Sequence, residues 1–232
     1  MSAARGSGTG AASPGDASVA FEQPLVSVDV IPLWITADGS LRVTLGRRRN
    51  APYQGELALP GVLMGRERSA EAAHRALRTK IGVVPEHVVL RDAGVFDAPA
   101  RAPRGPTMAV AKLAVGPESV LRGGERAEAA SPGDLPDLPF DHQSIVAAAR
   151  QVLAAHLWTD RDVARAVLGE EFTTRTATAL QRELEVADGS AARADASNMK
   201  RRLLALGWVT ATDRVALPEG ATGRPSTVWE WL

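Results

Sequence analysis

The side chains with the clearest chemical potential lie in one stretch, residues 61–83, which reads as a glycine turn leading into an amphipathic helix closed by Gly82. Glu67 and Glu71 are one helical turn apart, so the two carboxylates could share a divalent cation. Lys80 opposes such a site, because Mg²⁺ prefers oxygen ligands and an ammonium repels it. The stretch therefore combines a few groups that could hold a metal with one that would exclude it.

The spacing of this stretch resembles the Nudix box, G-x5-E-x7-R-E-U-x-E-E-x-G-U, where U is an aliphatic residue. Six defining positions match, at Gly61, Glu67, Arg75, Leu77, Gly82 and Val83. The three acidic positions of the REUxEE segment instead hold Ala76, Thr79 and Lys80. In that family these carboxylates hold the metals that neutralise a diphosphate and activate a water, whereas Glu67 and Arg75 brace the loop onto the helix. The resemblance implies a Nudix domain that keeps the frame and lacks the metal site; the alternative is an ordinary surface helix over 69–80 with Ser69 as its N-cap.

Composition bounds the remaining possibilities. The chain has 232 residues, enough for one large or two modest domains, with 27 basic and 27 acidic side chains and no cysteine. Zero net charge gives no support for bulk attraction to nucleic acid, so such binding must come from a local cluster. The lack of cysteine excludes disulfides and thiolate metal sites, and no apolar run approaches a membrane span. Residues 1–21 predict a disordered tail rather than a signal peptide and, by default, a cytoplasmic location.

The segment 22–156 alternates strand patterns with single helices. Strands are predicted over 26–36, 41–45, 88–96 and 107–115, with a hairpin turn at Asp38-Gly39 and a final helix over 142–156. The sequence GELALPG, ending at Gly61, resembles the short strand that leads into the box in Nudix domains. Residues 116–139, rich in Pro, Gly and Glu, read as a loop longer than compact domains usually contain. This order suits an α/β (α+β) Nudix sandwich.

Arginines surround the predicted cleft of this first domain. Guanidinium groups make paired, charge-assisted hydrogen bonds to phosphate oxygens, which suits a diphosphate. Residues 96–107 resemble a segment of Nudix proteins that handle ADP-ribose, although Ala102 replaces its Asp. The predicted effector-binding residues are Arg47, Arg48, Arg49, Gly61, Lys80, Phe96, Arg101 and Arg104. Lys80 would supply positive charge in place of the metals and Phe96 would stack an adenine. The alternatives are solvated surface arginines and a core phenylalanine.

After His156 the sequence predicts a second domain over 157–232. Its predicted helices are 160–168, capped by Thr159, then 173–186, capped by Thr173 or Thr174, and 197–206, ended by Gly207. Two short strands are predicted at 208–210 and 215–217, a loop at 218–226 and a last strand at 227–232. Three helices followed by a small β-hairpin are the layout of a winged helix-turn-helix.

In that layout the third helix enters the major groove of DNA. Its N-terminal half carries the candidate contacts Asn198, Lys200, Arg201 and Arg202, and Arg224 in the wing could reach the minor groove. Thr174 and Arg175, at the start of the second helix, complete the predicted DNA-binding set. The alternative is a small helical interaction domain with a solvated charged face, because acidic residues nearly match basic ones in this segment.

Together the two halves resemble the Nudix-related transcriptional regulators, the NrtR family. The residues that carry this resemblance beyond the box are Asn198, Lys200, Arg201, Arg202, the segment Gly223-Arg224-Pro225-Ser226-Thr227-Val228-Trp229 and the segment Phe140-Asp141-His142. The resemblance covers about residues 25–232. It implies a repressor of NAD biosynthesis and salvage genes that binds an inverted-repeat DNA operator as a homodimer, associated with the nucleoid. It also implies ADP-ribose as the effector, with no cofactor.

Two other functions remain open from the sequence. The first is a Nudix-type ADP-ribose pyrophosphatase with non-standard ligands such as Glu67, Glu71 and Asp97, in which the C-terminal domain serves dimerisation. The loss of all three box carboxylates argues against it. The second is a protein-interaction module that senses a nucleotide without binding DNA.

Overall fold

The computed structural model describes residues 23–103, 105–187, 193–217 and 222–232. The predicted tail at 1–21 lies outside these ranges, as do Arg104 and parts of the predicted loops before the third helix and in the wing. None of the helices in the described ranges combines the length and the apolar character that a membrane span requires.

A mixed seven-stranded sheet forms the centre of the first domain. Its strands are β1 Leu25–Ile35, β2 Leu41–Arg47, β3 Leu57–Ala58, β4 Gly61–Leu63, β5 Val89–Phe96, β6 Thr107–Val115 and β7 Ala127–Ala130. The main order is β3-β2-β1-β6-β5, with β4 paired to β1 and β7 paired to β2. Strand β1 is parallel to β6 and antiparallel to β2 and β4. The pairing with β4 sets Gly61, the first residue of the box, opposite Asp29.

Helices cover both faces of this sheet because β1 is apolar on both sides. On one face lie α1 (Ser69–Ala76), which continues as a π-helical turn over Leu77–Ile81, and the short α2 (Glu118–Leu121). On the other face lies α3 (His142–His156). Val28 and Val30 belong to the core beneath α1, whereas Ile31 and Leu33 belong to the core beneath α3. The alternation along one strand therefore builds the predicted sandwich.

The C-terminal part has three helices and a three-stranded antiparallel sheet. Its elements are α4 Arg161–Leu168, β8 Glu171–Thr173, α5 Thr174–Ala187, α6 Ala196–Leu206, β9 Val209–Ala216 and β10 Ser226–Trp231, with the strand order β8-β10-β9. Trp229 is fully buried at its centre, and its indole Nε1 donates to Thr174 Oγ1 at 2.8 Å. This is the arrangement of a winged helix-turn-helix, as predicted.

The two parts share one continuous apolar core. The cluster beneath α3 extends through α4 and α5 to Trp229 without interruption. Polar contacts reinforce the junction: Arg91 Nε on β5 donates to the Asp160 carboxylate at 2.7 Å. The turn between β1 and β2 also touches α5, where Thr176 Oγ1 donates to Ala37 O at 3.4 Å. Movement of one domain must therefore disturb packed contacts with the other.

Two of the predicted helix caps are wrong. Ser69 is the first residue of α1; the N-cap is Arg68, whose backbone N–H donates to the Glu71 carboxylate at 3.0 Å. Helix α4 is capped by Asp160 rather than Thr159, since the Asp160 carboxylate accepts from two backbone N–H groups of the first turn. A carboxylate is the stronger acceptor at a helix N-terminus because its charge also complements the helix dipole.

Three further local predictions need correction or refinement. The predicted loop over 116–139 contains α2 and β7, and β7 is held by its antiparallel pairing with β2. The two short strands near 208–217 are one strand, β9, and the strand β8 at 171–173 precedes α5. Of the two proposed caps of α5, Thr173 takes the position, because its hydroxyl accepts from the Thr176 N–H at 3.0 Å. Short strands of small residues depend on their partners rather than on propensity.

Candidate ligand cleft and nucleic-acid surface

An open cleft lies where β1, β2 and the box meet the loop after β5 and the start of α3. Six predicted effector residues line it: Arg47, Arg48, Arg49, Gly61, Lys80 and Arg101. Phe96 does not line the cleft; it is partly buried and packs against the core beneath α3. The predicted adenine stacking on Phe96 is therefore not supported by its position, and Arg104 lies outside the described residues.

The first glycine of the box is required by a close approach of β1. A Cβ built on Gly61 would lie 2.2 Å from Asp29 Oδ1, which is much shorter than a van der Waals contact. Both Gly61 and Asp29 line the cleft. The glycine thus allows a buried carboxylate to stand directly behind the cleft wall.

That carboxylate belongs to a buried charge network. Arg101 Nη2 donates to Asp29 at 3.2 Å and to Asp141 at 2.8 Å, and its Nε donates to Asp141 at 3.0 Å. Burial raises the pKa of Asp29, against the lowering effect of Arg101. Burial opposes the charge of Arg101, but its hydrogen bonds to Asp141 and the attraction of both carboxylates leave its pKa raised. Arg101 therefore anchors the β5–β6 loop to β1 and α3, and its guanidinium is committed to carboxylates.

His142, the first residue of α3, closes the base of the cleft. Its Nδ1 accepts from the Leu59 N–H at 3.1 Å, and its Nε2 lies 4.0 Å from Asp29 Oδ2. Burial lowers the pKa of His142 to about 3, and the positive charges of Arg101 and Arg48 add to this effect while Asp141 opposes it. The imidazole is therefore neutral at physiological pH, and it ties the strand that leads into the box to the start of α3.

Glu67 and Arg75 form the predicted brace. Arg75 Nε donates to Glu67 at 3.2 Å, a second nitrogen contacts the same carboxylate, and Arg75 Nη2 also donates to Leu63 O at 2.9 Å. The hydrogen bond from Arg75 lowers the pKa of Glu67. The structural role assigned to this pair from the sequence is confirmed, and Glu67 is committed to Arg75.

The donor set at the box does not suit the divalent metals that the fold family implies. Ala76 is fully buried, the Thr79 hydroxyl donates to Arg75 O at 2.7 Å, and Lys80 brings an ammonium to the cleft wall. Glu71 accepts from the Arg68 N–H. Across the part of the chain that the structure describes, no group of three or more His, Cys, Asp or Glu side chains could hold a metal ion. The structure does not assemble the alternative ligands Glu67, Glu71 and Asp97 into a site.

An aromatic rim, which the site prediction missed, borders the basic side of the cleft. Phe140 lines the cleft, the Arg48 guanidinium lies 4.9 Å from its ring centre, and Tyr53 meets it edge-on at 5.1 Å. Phe140 and Tyr53 both have left-handed backbone conformations, with φ of 63° and 62°. Such conformations are costly for aromatic residues and cluster at ligand sites. Phe140 is therefore a better candidate than Phe96 for stacking against a planar ligand group. The sequence feature that could have identified Phe140 is the Phe140-Asp141-His142 segment, which resembles the NrtR family.

The three consecutive arginines after β2 differ in their surroundings. Arg47 Nη1 donates to Gly55 O at 2.9 Å, and its other terminal nitrogen contacts Glu128 on β7. Arg48 Nε donates to Pro52 O at 2.9 Å, which holds it over Phe140. Arg49 is exposed at the rim. Lys80 lines the same cleft from the box helix, so two segments bring positive charge to one opening.

A second candidate surface is the outer face of α6. The Asp195 carboxylate caps this helix by accepting from the N–H groups of residues 197 and 198, each at 2.9 Å, and Gly207 ends it with a φ of 72°. Met199 and Leu203 are buried beneath it. The four predicted contacts all lie exposed: Asn198, Lys200, Arg201 and Arg202. The helix therefore presents one amide and three cations to solvent.

Side-chain contacts organise this face further. Arg201 contacts the Asn198 side-chain oxygen, one turn earlier, so the two groups form a pair on the helix surface. Arg202 Nη1 donates instead to Gln181 Oε1 on α5 at 3.2 Å. Arg201 therefore points outward with Asn198, whereas Arg202 turns toward the neighbouring helix.

The remaining predicted DNA contacts fall in different places. Thr174 is buried and its hydroxyl accepts from Trp229, so its side chain does not reach the surface and the prediction for it is corrected. Arg175 is half-buried, and its Nη1 donates to Thr222 O in the wing at 2.7 Å. Arg224 is exposed on the wing. The two arginines lie with Arg182, which the prediction did not include, along one groove.

Comparisons with known proteins agree with this architecture. No protein-family profile matches the chain. Over 133 residues it is 35% identical to the ADP-ribose pyrophosphatase of Methanocaldococcus jannaschii, a match that covers 54% of this chain and 73% of that protein.

Solved structures extend the similarity to the C-terminal part. Shewanella oneidensis NrtR, in a crystal structure complexed with a 27mer DNA, has a TM-score of 0.69 at 21% identity, covering 89% of this chain and 93% of that one. A MutT/nudix family protein from Enterococcus faecalis has a TM-score of 0.67 at 23% identity, covering 91% and 88%. The chain belongs to the Nudix family of the Methanocaldococcus pyrophosphatase, and it has the predicted fold of the Nudix-related regulators, a Nudix sandwich followed by a winged helix-turn-helix.

Proposed function

We propose that this protein is a sequence-specific DNA-binding repressor of NAD biosynthesis and salvage genes. In this proposal its Nudix domain binds ADP-ribose, or a related nucleotide, without hydrolysing it. Binding to operators would associate the protein with the nucleoid in the cytoplasm. The fold similarity to an NrtR crystallised with DNA and the identity to a protein named as an ADP-ribose pyrophosphatase support the two halves of the proposal.

The observation that carries DNA binding is the outward pair on α6. Asn198 and Arg201 are exposed, adjacent and on the helix that enters the major groove in winged helix-turn-helix proteins. Asn is suited to adenine and Arg to guanine, because each can make two hydrogen bonds to its base edge. In this proposal Arg202, turned toward α5, and Arg224, on the wing, approach phosphates or the minor groove.

The observation that favours binding without turnover is the chemistry of the cleft. Lys80 and the arginines after β2 offer fixed positive charge to a diphosphate. The positions that would hold metals carry Ala76 and Thr79, which supply no carboxylate oxygen. Phe140 with Arg48 offers a flat surface for a nucleobase. We therefore propose that this cleft, which binds a diphosphate substrate in Nudix enzymes, binds a diphosphate effector here without hydrolysing it.

A repressor of this kind is expected to act as a homodimer on an inverted repeat. Two α6 helices related by a twofold axis would read half-sites about one helical turn apart. The effector regulates the protein only if it binds the DNA-competent and DNA-free arrangements with different affinity. Helix α3 could transmit that difference, since it begins at His142 in the cleft and packs against α5.

The deciding experiment measures binding of the full chain to upstream DNA of NAD-biosynthesis genes from its own genome, with and without ADP-ribose, at stated salt. Specific binding that ADP-ribose changes supports the proposal. Absence of specific binding, together with Mg²⁺-dependent hydrolysis of ADP-ribose, contradicts it.

That second outcome corresponds to the other candidate, an ADP-ribose pyrophosphatase. The specific observation in its favour is the 35% identity to a protein named for that activity. The donor set at the box argues against it, because Glu67 is bound to Arg75 and Glu71 caps α1. The hydrolysis assay with Mg²⁺ separates the two candidates directly.

A further inference from the structure

A second groove lies at the junction of the two domains, apart from the Nudix cleft. It encloses about 820 Å³ and is open to solvent. Its walls come from four segments: the turn between β1 and β2, one face of α5, the start of α6 and the wing that leads into β10. This size is within the range of roughly 300–1,000 Å³ found for small-molecule sites.

Three arginines line this groove. Arg175 and Arg182 are seven residues apart on α5 and so lie on the same face, and Arg224 approaches from the wing. None of the three forms an ion pair with a carboxylate in the described part of the chain, whereas Arg214 on β9 contacts two carboxylates. The guanidinium of Arg175 is fixed by donation to Thr222 O, and that of Arg182 by donation to Ala194 O, each at 2.7 Å. Several guanidinium groups that line one groove without a paired carboxylate favour an anion between them.

The opposite wall of the groove belongs to the Nudix domain. Asp38 and Ser40, in the β1–β2 turn, line it. The turn is fixed against α5, since a Cβ on Gly39 would lie 2.7 Å from Thr176 O and 2.8 Å from Ala179 Cβ. Hydrogen bonds from Thr36 and Ser40 lower the pKa of Asp38, with Thr36 the larger effect, so this wall carries a negative charge.

We propose that this junction groove binds a phosphate group, chiefly a backbone phosphate of DNA, through Arg175, Arg182 and Arg224, with the Nudix turn as its far wall. The choice of DNA rests on the proposed function and on position, because the start of α6 and the wing both border the groove. The chemistry of the site does not rest on it, since a free diphosphate would satisfy the same guanidinium groups. The proposal adds Arg182 to the binding surface and places the sensing domain directly beside bound DNA.

The Nudix turn gives this site a distinct property. Asp38 brings a carboxylate to a groove that receives a phosphate, so it opposes binding electrostatically. A domain movement that disturbs the packed contact between this turn and α5 would change the distance between that charge and the phosphate. The groove is therefore a direct route by which domain position could change DNA affinity.

The test compares full-length Arg182→Ala and Asp38→Asn with Arg122→Ala as the matched control. Arg122 is an exposed arginine of the Nudix domain that pairs with Glu118 outside both grooves. Binding to the operator and to a random duplex is measured across a salt series. Arg182→Ala should weaken binding to both duplexes by the same factor, roughly tenfold, and reduce the slope of log K against log salt by about 0.9. Asp38→Asn should tighten binding to both duplexes several-fold, and Arg122→Ala should match the wild type.

A second arm separates DNA from a free ligand. Binding of inorganic pyrophosphate is measured by calorimetry for Arg182→Ala and Arg122→Ala. Both variants keep the Nudix cleft intact, so a difference in pyrophosphate binding between them comes from the junction groove. If Arg182→Ala loses pyrophosphate binding but keeps DNA binding, the phosphate site is supported and its ligand is a free anion rather than DNA. If the wild type binds no DNA, the proposed function fails and this arm alone decides the groove. If Arg182→Ala changes neither ligand relative to Arg122→Ala, the phosphate site is overturned.

Discussion

Gly61 and Asp29 are set so close across the β1–β4 pairing that a methyl group on Gly61 would overlap the Asp29 carboxylate. Asp29 cannot easily retreat, because Arg101 and Ser27 donate hydrogen bonds to it inside the core. The need for glycine at position 61 therefore follows from the buried ion pair between Asp29 and Arg101 behind it.

Gly61→Ala should therefore lower the free energy of unfolding by about 1–3 kcal/mol, the usual range for overpacking a core. The matched control is Gly65→Ala, just after β4, where the nearest side-chain atom, on Glu67, is 3.9 Å from the built Cβ. Urea unfolding of both variants measures the difference. Equal stability of the two would contradict the close approach of Asp29.

His142 should make stability depend on pH. Below its ordinary pKa of 6.5 the unfolded chain binds a proton that the folded protein, with a pKa of about 3 for this group, does not. Its contribution is therefore complete above pH 6.5 and lost as the pH falls toward 3. Between pH 7 and pH 4.5 the loss should be about 2–3 kcal/mol.

The measurement is urea unfolding of wild type and His142→Asn at both pH values. Asn does not titrate, and its side-chain oxygen can still accept from the Leu59 N–H. Because any packing cost of the substitution is present at both pH values, it cancels in the comparison. The variant should lose less stability than the wild type on acidification; identical losses would rule out His142 as the titrating group.

Sequence reasoning located the box because its pattern is local. The spacing of Gly61, Glu67 and Arg75 along one turn and one helix predicted the contact between Glu67 and Arg75, which the structure shows. The same spacing predicted that Lys80 faces the cleft, and Lys80 lines it. It could not show that Arg101 is buried, since that depends on Asp29, 72 positions away in the chain. An arginine in a Pro/Gly-rich loop reads as a solvent-exposed phosphate ligand until its partners are known.

Aromatic residues show the same limit. Phe96 is the last residue of β5 and Phe140 lies in the turn before α3. Strand alternation turns Phe96 toward the core, whereas a left-handed backbone conformation holds Phe140 in the cleft. The short strands β7 and β8 were also missed, because pairing with β2 and β10 rather than their own composition specifies them.

Lys80 supplies a test of binding without metals. Lys80→Glu replaces a cation at the cleft wall by an anion, so it should weaken ADP-ribose binding at least about tenfold. Arg78→Glu is the control, because it reverses a charge on the same helical turn at an exposed position outside the cleft. Calorimetry without added metal measures both. Equal affinities of the two variants would remove Lys80 from the ligand site.

Arg201 tests the recognition helix. Arg201→Ala should weaken operator binding by about 1–3 kcal/mol and reduce the preference for operator over random duplex, because the outward pair with Asn198 is lost. ADP-ribose affinity should be unchanged, since α6 does not line the cleft. Anisotropy titrations with both duplexes provide the measurement. Unaltered operator affinity would mean that α6 is not the reading helix.

Gly39 tests whether the domain junction couples the two ligands. Gly39→Ala places a methyl group against Thr176 and Ala179 of α5, at a φ of 91°. Gly55→Ala is a matched control for backbone strain, because Gly55 has a φ of 87° and nothing within 4 Å of the built Cβ. Any extra effect of Gly39→Ala therefore reports on the contact with α5 and not on the positive φ.

Gly39→Ala should retain ADP-ribose binding, because the cleft lies at the other end of the β1–β2 hairpin. It should, however, reduce the factor by which ADP-ribose changes operator affinity, since the turn no longer fits α5 in its present position. The logarithm of that factor gives the coupling free energy between the two sites, and the factor is obtained from operator titrations at zero and saturating ADP-ribose. Coupling in Gly39→Ala equal to that in Gly55→Ala would show that the hairpin contact plays no part in the response, and would favour transmission through α3, which begins in the cleft and packs against α5.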